Sequence, residues 1–117
     1  MSYVDGYVLA IQKKHLKAYR RMAVLGRKAW MKHGAVDYKE CAGDDLAAKW
    51  GTPFTRVMKL KPGETAVFAF IVFKSRAHRD RVNAKVMKDM AAMSGPPKDM
   101  PFDPKRMAYG GFKTIVE

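Results

Sequence analysis

Residues Ala66 to Phe73 form an unbroken apolar run of eight, rich in β-branched and aromatic side chains. The run is far short of the roughly 18 residues of a membrane-spanning helix. The turn sequence Lys61-Pro62-Gly63-Glu64 precedes it and Lys74-Ser75 follows it, so it reads as a strand over Ala66 to Lys74. Both alternating sets are apolar: Ala66, Phe68, Phe70 and Val72 on one side, Val67, Ala69, Ile71 and Phe73 on the other. A strand of this kind has both faces covered. With 117 residues, the chain has the length of one domain, so it must supply one cover or both.

The remaining segments set the architecture. Tyr3 to Ile11 alternates as a first strand. Lys13 to His33 changes to a helical period, with Leu16, Tyr19, Ala23, Gly26, Trp30 and His33 on one stripe, and Gly34 as its C-cap. Val36 to Ala42 alternates again. Leu46 to Thr65 is ambiguous: Thr52-Pro53 opens a short helix, or Phe54 to Leu60 is extended. Ser75 caps a second helix, Arg76 to about Met90, with Val82, Val86 and Met90 as its stripe and Met87 and Met93 nearby. Ser94-Gly95-Pro96-Pro97 stops it, Pro101 to Pro104 is a loop, and Met107 to Val116 is a last strand.

Strand, helix, strand, strand, helix, strand is the βαββαβ order of an α+β, ferredoxin-like domain. It implies a four-stranded antiparallel sheet with two helices on one face. Phe68 and Phe70 are then expected on the uncovered face, with Tyr7 and Leu9 joining them by parity. An aromatic face of that size needs a partner. Pairing of two sheets into a dimeric α+β barrel is the expected answer.

Composition excludes several classes. One cysteine, Cys41, rules out a disulfide framework or a cysteine-rich metal site. The histidines His15, His33 and His78 lack metal-ligand spacing, so no metal and no cofactor is expected. Gly110-Gly111 lacks the context of a dinucleotide loop and reads as a bulge or a close backbone approach. The start Met1 to Gly6 has no signal-peptide character, so a cytoplasmic protein without membrane attachment is expected.

Two functional patterns stand out. Asp5, Tyr7, Glu40, Phe68, Phe70 and Tyr109 combine carboxylates, phenols and apolar rings on the expected inner sheet face. Such a set suits a pocket for a small molecule, with a carboxylate available for proton transfer. The second pattern is charge. The formal net charge is +12, and Lys13 to His33 carries Lys13, Lys14, Lys17, Arg20, Arg21, Arg27, Lys28 and Lys32 with no acid. Arg76 and Arg79 add to it from the second helix. These are candidate contacts to a polyanion. Phe68-Ala69-Phe70-Ile71-Val72-Phe73 also resembles the end of the third-strand motif of RNA-recognition domains, but Ala66-Val67 stands where Lys/Arg-Gly belongs. Burying the aromatic face in a dimer competes with stacking bases on it. The barrel pocket therefore ranks ahead of nucleic-acid binding.

Several stretches resemble the YbaA-like bacterial proteins of unknown function. These are Tyr3-Val4-Asp5-Gly6-Tyr7-Val8, Ala18-Tyr19-Arg20-Arg21-Met22-Ala23, Glu40-Cys41 with Asp44-Asp45, and Ser75-Arg76-Ala77-His78-Arg79-Asp80. The most specific is Met100-Pro101-Phe102-Asp103-Pro104-Lys105-Arg106-Met107-Ala108-Tyr109-Gly110-Gly111-Phe112, with Pro104 where family members usually have glycine. The resemblance implies a dimeric, ferredoxin-like barrel type of fold. It implies no activity, and the basic charge is not part of the match.

Overall fold

The computed structural model describes residues 1–92 and 100–117. Its strands are β1 (Tyr3–Gln12), β2 (Asp37–Ala42), β3 (Glu64–Phe73) and β4 (Met107–Lys113). Its helices are α1 (Leu16–Lys32), the single turn α2 (Phe54–Val57) and α3 (Arg76–Ala92). Short 3-10 turns at Lys13–His15 and Pro104–Arg106 lead into α1 and β4. All pairings are antiparallel in the order β2-β3-β1-β4, which is the ferredoxin-like arrangement. The two most apolar strands, β1 and β3, take the centre, where burial is greatest.

Local chemistry fixes the helix ends. Ser75 Oγ accepts from the His78 backbone N–H at 3.1 Å, relieving one orphan donor of α3. Gly34 closes α1 with φ of 106°, and the Ala35 N–H returns to the Trp30 carbonyl. The expected stop at Ser94-Gly95-Pro96-Pro97, and Met93, lie outside the described residues.

The helices cover one face of the sheet. Two clusters fill the space between them: Ala35, Ile71 and Phe73 with Val82 and Val86 of α3, and Leu9, Ile11 and Val67 with Tyr19 of α1. Register then corrects the expected facing of β1. Tyr7 pairs with Ala69 and Leu9 with Val67, so both belong to the helix-covered face. Phe68 and Phe70 pair with Val8 and Gly6 and stand on the opposite, open face. Alternation decides which residues of one strand share a face; only cross-strand register relates one strand to the next.

The ambiguous connection resolves as the short helix, α2, with Pro53 as its N-cap. Lys61 to Glu64 is the expected turn, with Gly63 at φ of 82°. Arg106 holds the end of this connection: it donates to both Glu64 carboxylate oxygens (2.6 and 3.0 Å) and to the Lys59 carbonyl (3.0 Å). β4 ends at Lys113, short of the expected Val116. The Thr114 N–H turns to the Ser2 carbonyl, and Ile115 and Val116 project into solvent.

Gly110-Gly111 is no bulge, since the β1–β4 register runs through both glycines. Each is floor for a ring. On the helix side, a Cβ at Gly111 would overlap the Tyr3 phenol; on the open side, Gly6 and its cross-strand partner Gly110 lie under Phe112.

Candidate functional site

Four of the six residues expected to line a pocket gather on the helix-covered face. Asp5, Tyr7 and Tyr109 are neighbours through the β1–β4 register, and Glu40 faces Ala69 one strand further on. Phe68 and Phe70 are not with them. Their rings sit 6.0 Å apart on the open face, so the mixed polar and aromatic pocket expected from sequence does not form.

The polar residues divide into two centres. Glu40 accepts from the Tyr38 hydroxyl at 2.6 Å and from the Tyr19 hydroxyl. The Tyr19 phenol carries α1 onto β2, the strand that holds both Tyr38 and Glu40. Burial, and then Glu40 itself, keep both phenols protonated far beyond the ordinary tyrosine range.

The second centre surrounds Asp5, which is fully buried. Asn83 Nδ2 donates to Asp5 Oδ2 at 3.3 Å, and Arg79 Nη1 lies 3.6 Å from Oδ1. Oδ1 itself makes no hydrogen bond among the described residues. Burial raises the carboxyl pKa; Asn83 and Arg79 oppose that shift without cancelling it. Arg79 reaches further, donating from Nη2 to the Tyr3 hydroxyl (3.1 Å) and from Nη1 to the Tyr109 hydroxyl (3.2 Å), and its guanidinium lies 4.9 Å from the Tyr3 ring centre. Its Nε is 3.1 Å from Asp80 Oδ1 but is not aligned to it as a hydrogen bond. Tyr7 stacks on Tyr109 with ring centres 4.8 Å apart. Trp30 Nε1 donates to Asn83 Oδ1 at 2.9 Å, tying α1 to α3 above the centre.

Tyr109 is the exposed end of this centre, with half of its surface in solvent. Burial and the Asp5 carboxylate raise its pKa, so its hydroxyl remains a donor at neutral pH. The centre thus opens to the surface at the Tyr109 phenol, its mouth, beside an Arg79 side chain that is 15% exposed, while the Asp5 carboxylate is shut away from water.

The charge candidates also separate. Lys13, Lys14, Lys17, Arg20, Arg21, Arg27, Lys28 and Arg76 are exposed. Arg79 is not part of that surface: its side chain is 15% exposed and turned to Asp5. Asn83 and Tyr3 are the site residues that pattern reading missed, and Arg79 was assigned to the charged surface in place of this centre. A signal existed, because Arg79, Val82, Asn83 and Val86 share one helical stripe, so two polar residues sit among the apolar ones facing the sheet. His33 at the end of α1 meets Asp89 of α3 at 2.6 Å.

Among the described residues, the open face has no comparable polar centre. Val4, Val8, Phe68, Phe70, Val72 and Phe112 dominate it, with Phe112 62% and Phe68 45% exposed. At one end, Leu46 and Phe54 fold against Val8, Cys41 and Phe68 around an apolar depression. Among the described residues, no helix is long and apolar enough to cross a membrane.

A family described as "Protein of unknown function (DUF1428)" matches residues 2–104. The chain is 38% identical over 117 residues to the uncharacterised protein YbaA of Escherichia coli K12, covering 100% of this chain and 99% of that one. The YbaA protein of Shigella flexneri matches to the same extent. Among solved structures, a de novo designed protein, Foldit4, aligns over the full length of both chains with a TM-score of 0.45 and 8% identity.

Proposed function

The chain belongs to the DUF1428 family, and from that premise we propose that it is a homodimer that binds a small molecule at the Arg79–Tyr109 mouth. The ligand presents a carbonyl or carboxylate oxygen. The observation that carries this reading is the Arg79 guanidinium, anchored by buried Asp5 and bonded to the half-exposed Tyr109 hydroxyl. An acceptor oxygen arriving there meets two preorganised donors, and charge-assisted hydrogen bonds of this kind contribute about 1.5–3 kcal/mol each. A cation meets the guanidinium first and is repelled.

The open face supports the dimer. A 13.2 kDa monomer is expected to expose about 6,400 Å², whereas this chain exposes 8530 Å². Its radius of gyration is 15.1 Å in a slab 19 Å thick, against about 13.4 Å for a compact chain of this length. The face of β1, β3 and β4 bears exposed apolar rings, Phe68 and Phe112 among them, and a second copy of that face is its natural complement. In that arrangement the ligand mouth stays on the outside of the dimer, under the helices.

Thermal shift with benzoate, a planar carboxylate, and a panel of small ketones tests the ligand reading. Benzoate or a ketone is expected to raise the Tm of the wild type and not of Tyr109→Phe, which keeps the ring and loses the hydroxyl. Equal shifts in both proteins, or no response to any carboxylate or ketone, contradict it.

A further inference from the structure

We propose that the outward face of α1 binds the phosphate backbone of single-stranded nucleic acid without sequence preference. At about 100° per residue, Lys17, Arg20, Arg21, Arg27, Lys28 and Lys32 of α1 fall within an arc of about 140°, and Lys13 and Lys14 precede them in the 3-10 turn that leads into the helix. The opposite side of the helix carries Tyr19, Met22, Ala23 and Trp30, packed on the sheet and α3. All eight cations are exposed, and the six on α1 extend over about 23 Å at 1.5 Å per residue. Among the described residues, only Lys32 has a carboxylate within ion-pair distance, Asp89 at 3.7 Å. The other seven have no carboxylate at that distance among the described residues.

Such a row repels itself, and a protein gains nothing for its own stability by keeping it. Its complement is a flexible polyanion, which can follow the helix and release its counterions. An anionic membrane fits less well. A surface-lying helix needs its apolar side for the lipid, and α1 has spent that side on the sheet. Its exposed arc offers only Val24 and Leu25. Both the open sheet face and the Arg79 mouth point elsewhere, so neither competes with this surface.

The test is fluorescence anisotropy of a labelled 20-nucleotide oligouridylate with the full chain over a salt series. Two triple variants are compared: Lys17→Gln/Arg21→Gln/Lys28→Gln on α1, and Lys49→Gln/Lys61→Gln/Lys113→Gln elsewhere on the surface. All six side chains are exposed, so circular dichroism is expected to show both variants folded. The α1 variant should lose about 2 from the slope of log K against log salt, as three contacts of about 0.7 each require. At 0.15 M salt that is on the order of a 50-fold loss. The control variant should bind like the wild type. Equal losses in the two variants would reduce the effect to net charge and overturn the proposal. Absence of binding at 0.15 M salt overturns it as well, as does capture by phosphatidylserine vesicles in place of the oligonucleotide.

Discussion

Arg79 of α3 stands 3.6 Å from the carboxylate of Asp5 in β1, a group with no exposure to water. The pair links the second helix to the centre of the sheet and sets the orientation of Tyr3 and Tyr109. Its energetics are lopsided. Losing one partner leaves a buried charge unpaired, whereas losing both removes the conflict.

Arg79→Gln should therefore destabilise the fold by on the order of 3 kcal/mol at neutral pH, read as a urea midpoint. Adding Asp5→Asn should restore part of that loss. The pH dependence has a definite sign. Burial raises the Asp5 pKa above 3.8, its ordinary value, so the folded state holds this proton more tightly than the unfolded chain does. The contribution of Asp5 is full below about pH 4 and is lost as pH rises through its raised pKa. Relative to the wild type, Asp5→Asn should gain stability over that rise. A constant difference between the two proteins would remove the buried carboxylate from the account.

Glu64 carries the opposite sign. The two hydrogen bonds from Arg106, with the Lys61 N–H, bring its pKa down from 4.5 to about 2. Its contribution is present above about pH 4.5 and disappears as pH falls towards 2. Arg106→Gln should flatten this acid limb of the stability curve. It should also loosen the connection before β3, because the Lys59 carbonyl loses its partner. Hydrogen exchange at residues 54–63 reads that loosening directly; unchanged exchange would show that Arg106 does not hold the segment.

Gly111 is the third test. A side chain there would strike Tyr3 on the helix-covered face. Gly111→Ala should cost about 1–3 kcal/mol, the range for an overfilled site. In Tyr3→Ala it should cost much less, because the ring it strikes is gone. Additive effects in this double-mutant cycle would mean that the cost lies in the backbone and not in the contact.

The fold was legible because β3 is apolar on both sides, and because Ser75 and Gly34 mark helix ends by known chemistry. Glu40, Asp5, Tyr7 and Tyr109 were legible as polar residues in strands. Their grouping was not, because a one-residue shift between β1 and β3 exchanges the faces, and nothing local to either strand fixes that shift. Arg79 was misread for a related reason. A basic residue on a basic helix looks solvated until the buried carboxylate it answers is placed beneath it. The role of Gly110-Gly111 required the positions of Tyr3 and Phe112, residues from opposite ends of the chain.

Two copies are proposed to join through the open face, leaving the Arg79 mouth and the α1 cations outside. Light scattering on a sizing column at micromolar concentration tests it most directly. The account predicts twice the chain mass, 2 × 13.2 = 26.4 kDa, falling to 13.2 kDa when Phe68→Arg places a charge on that face. A wild-type mass of 13.2 kDa would contradict it, leaving the apolar face of Phe68, Phe70 and Phe112 without the partner assigned to it here.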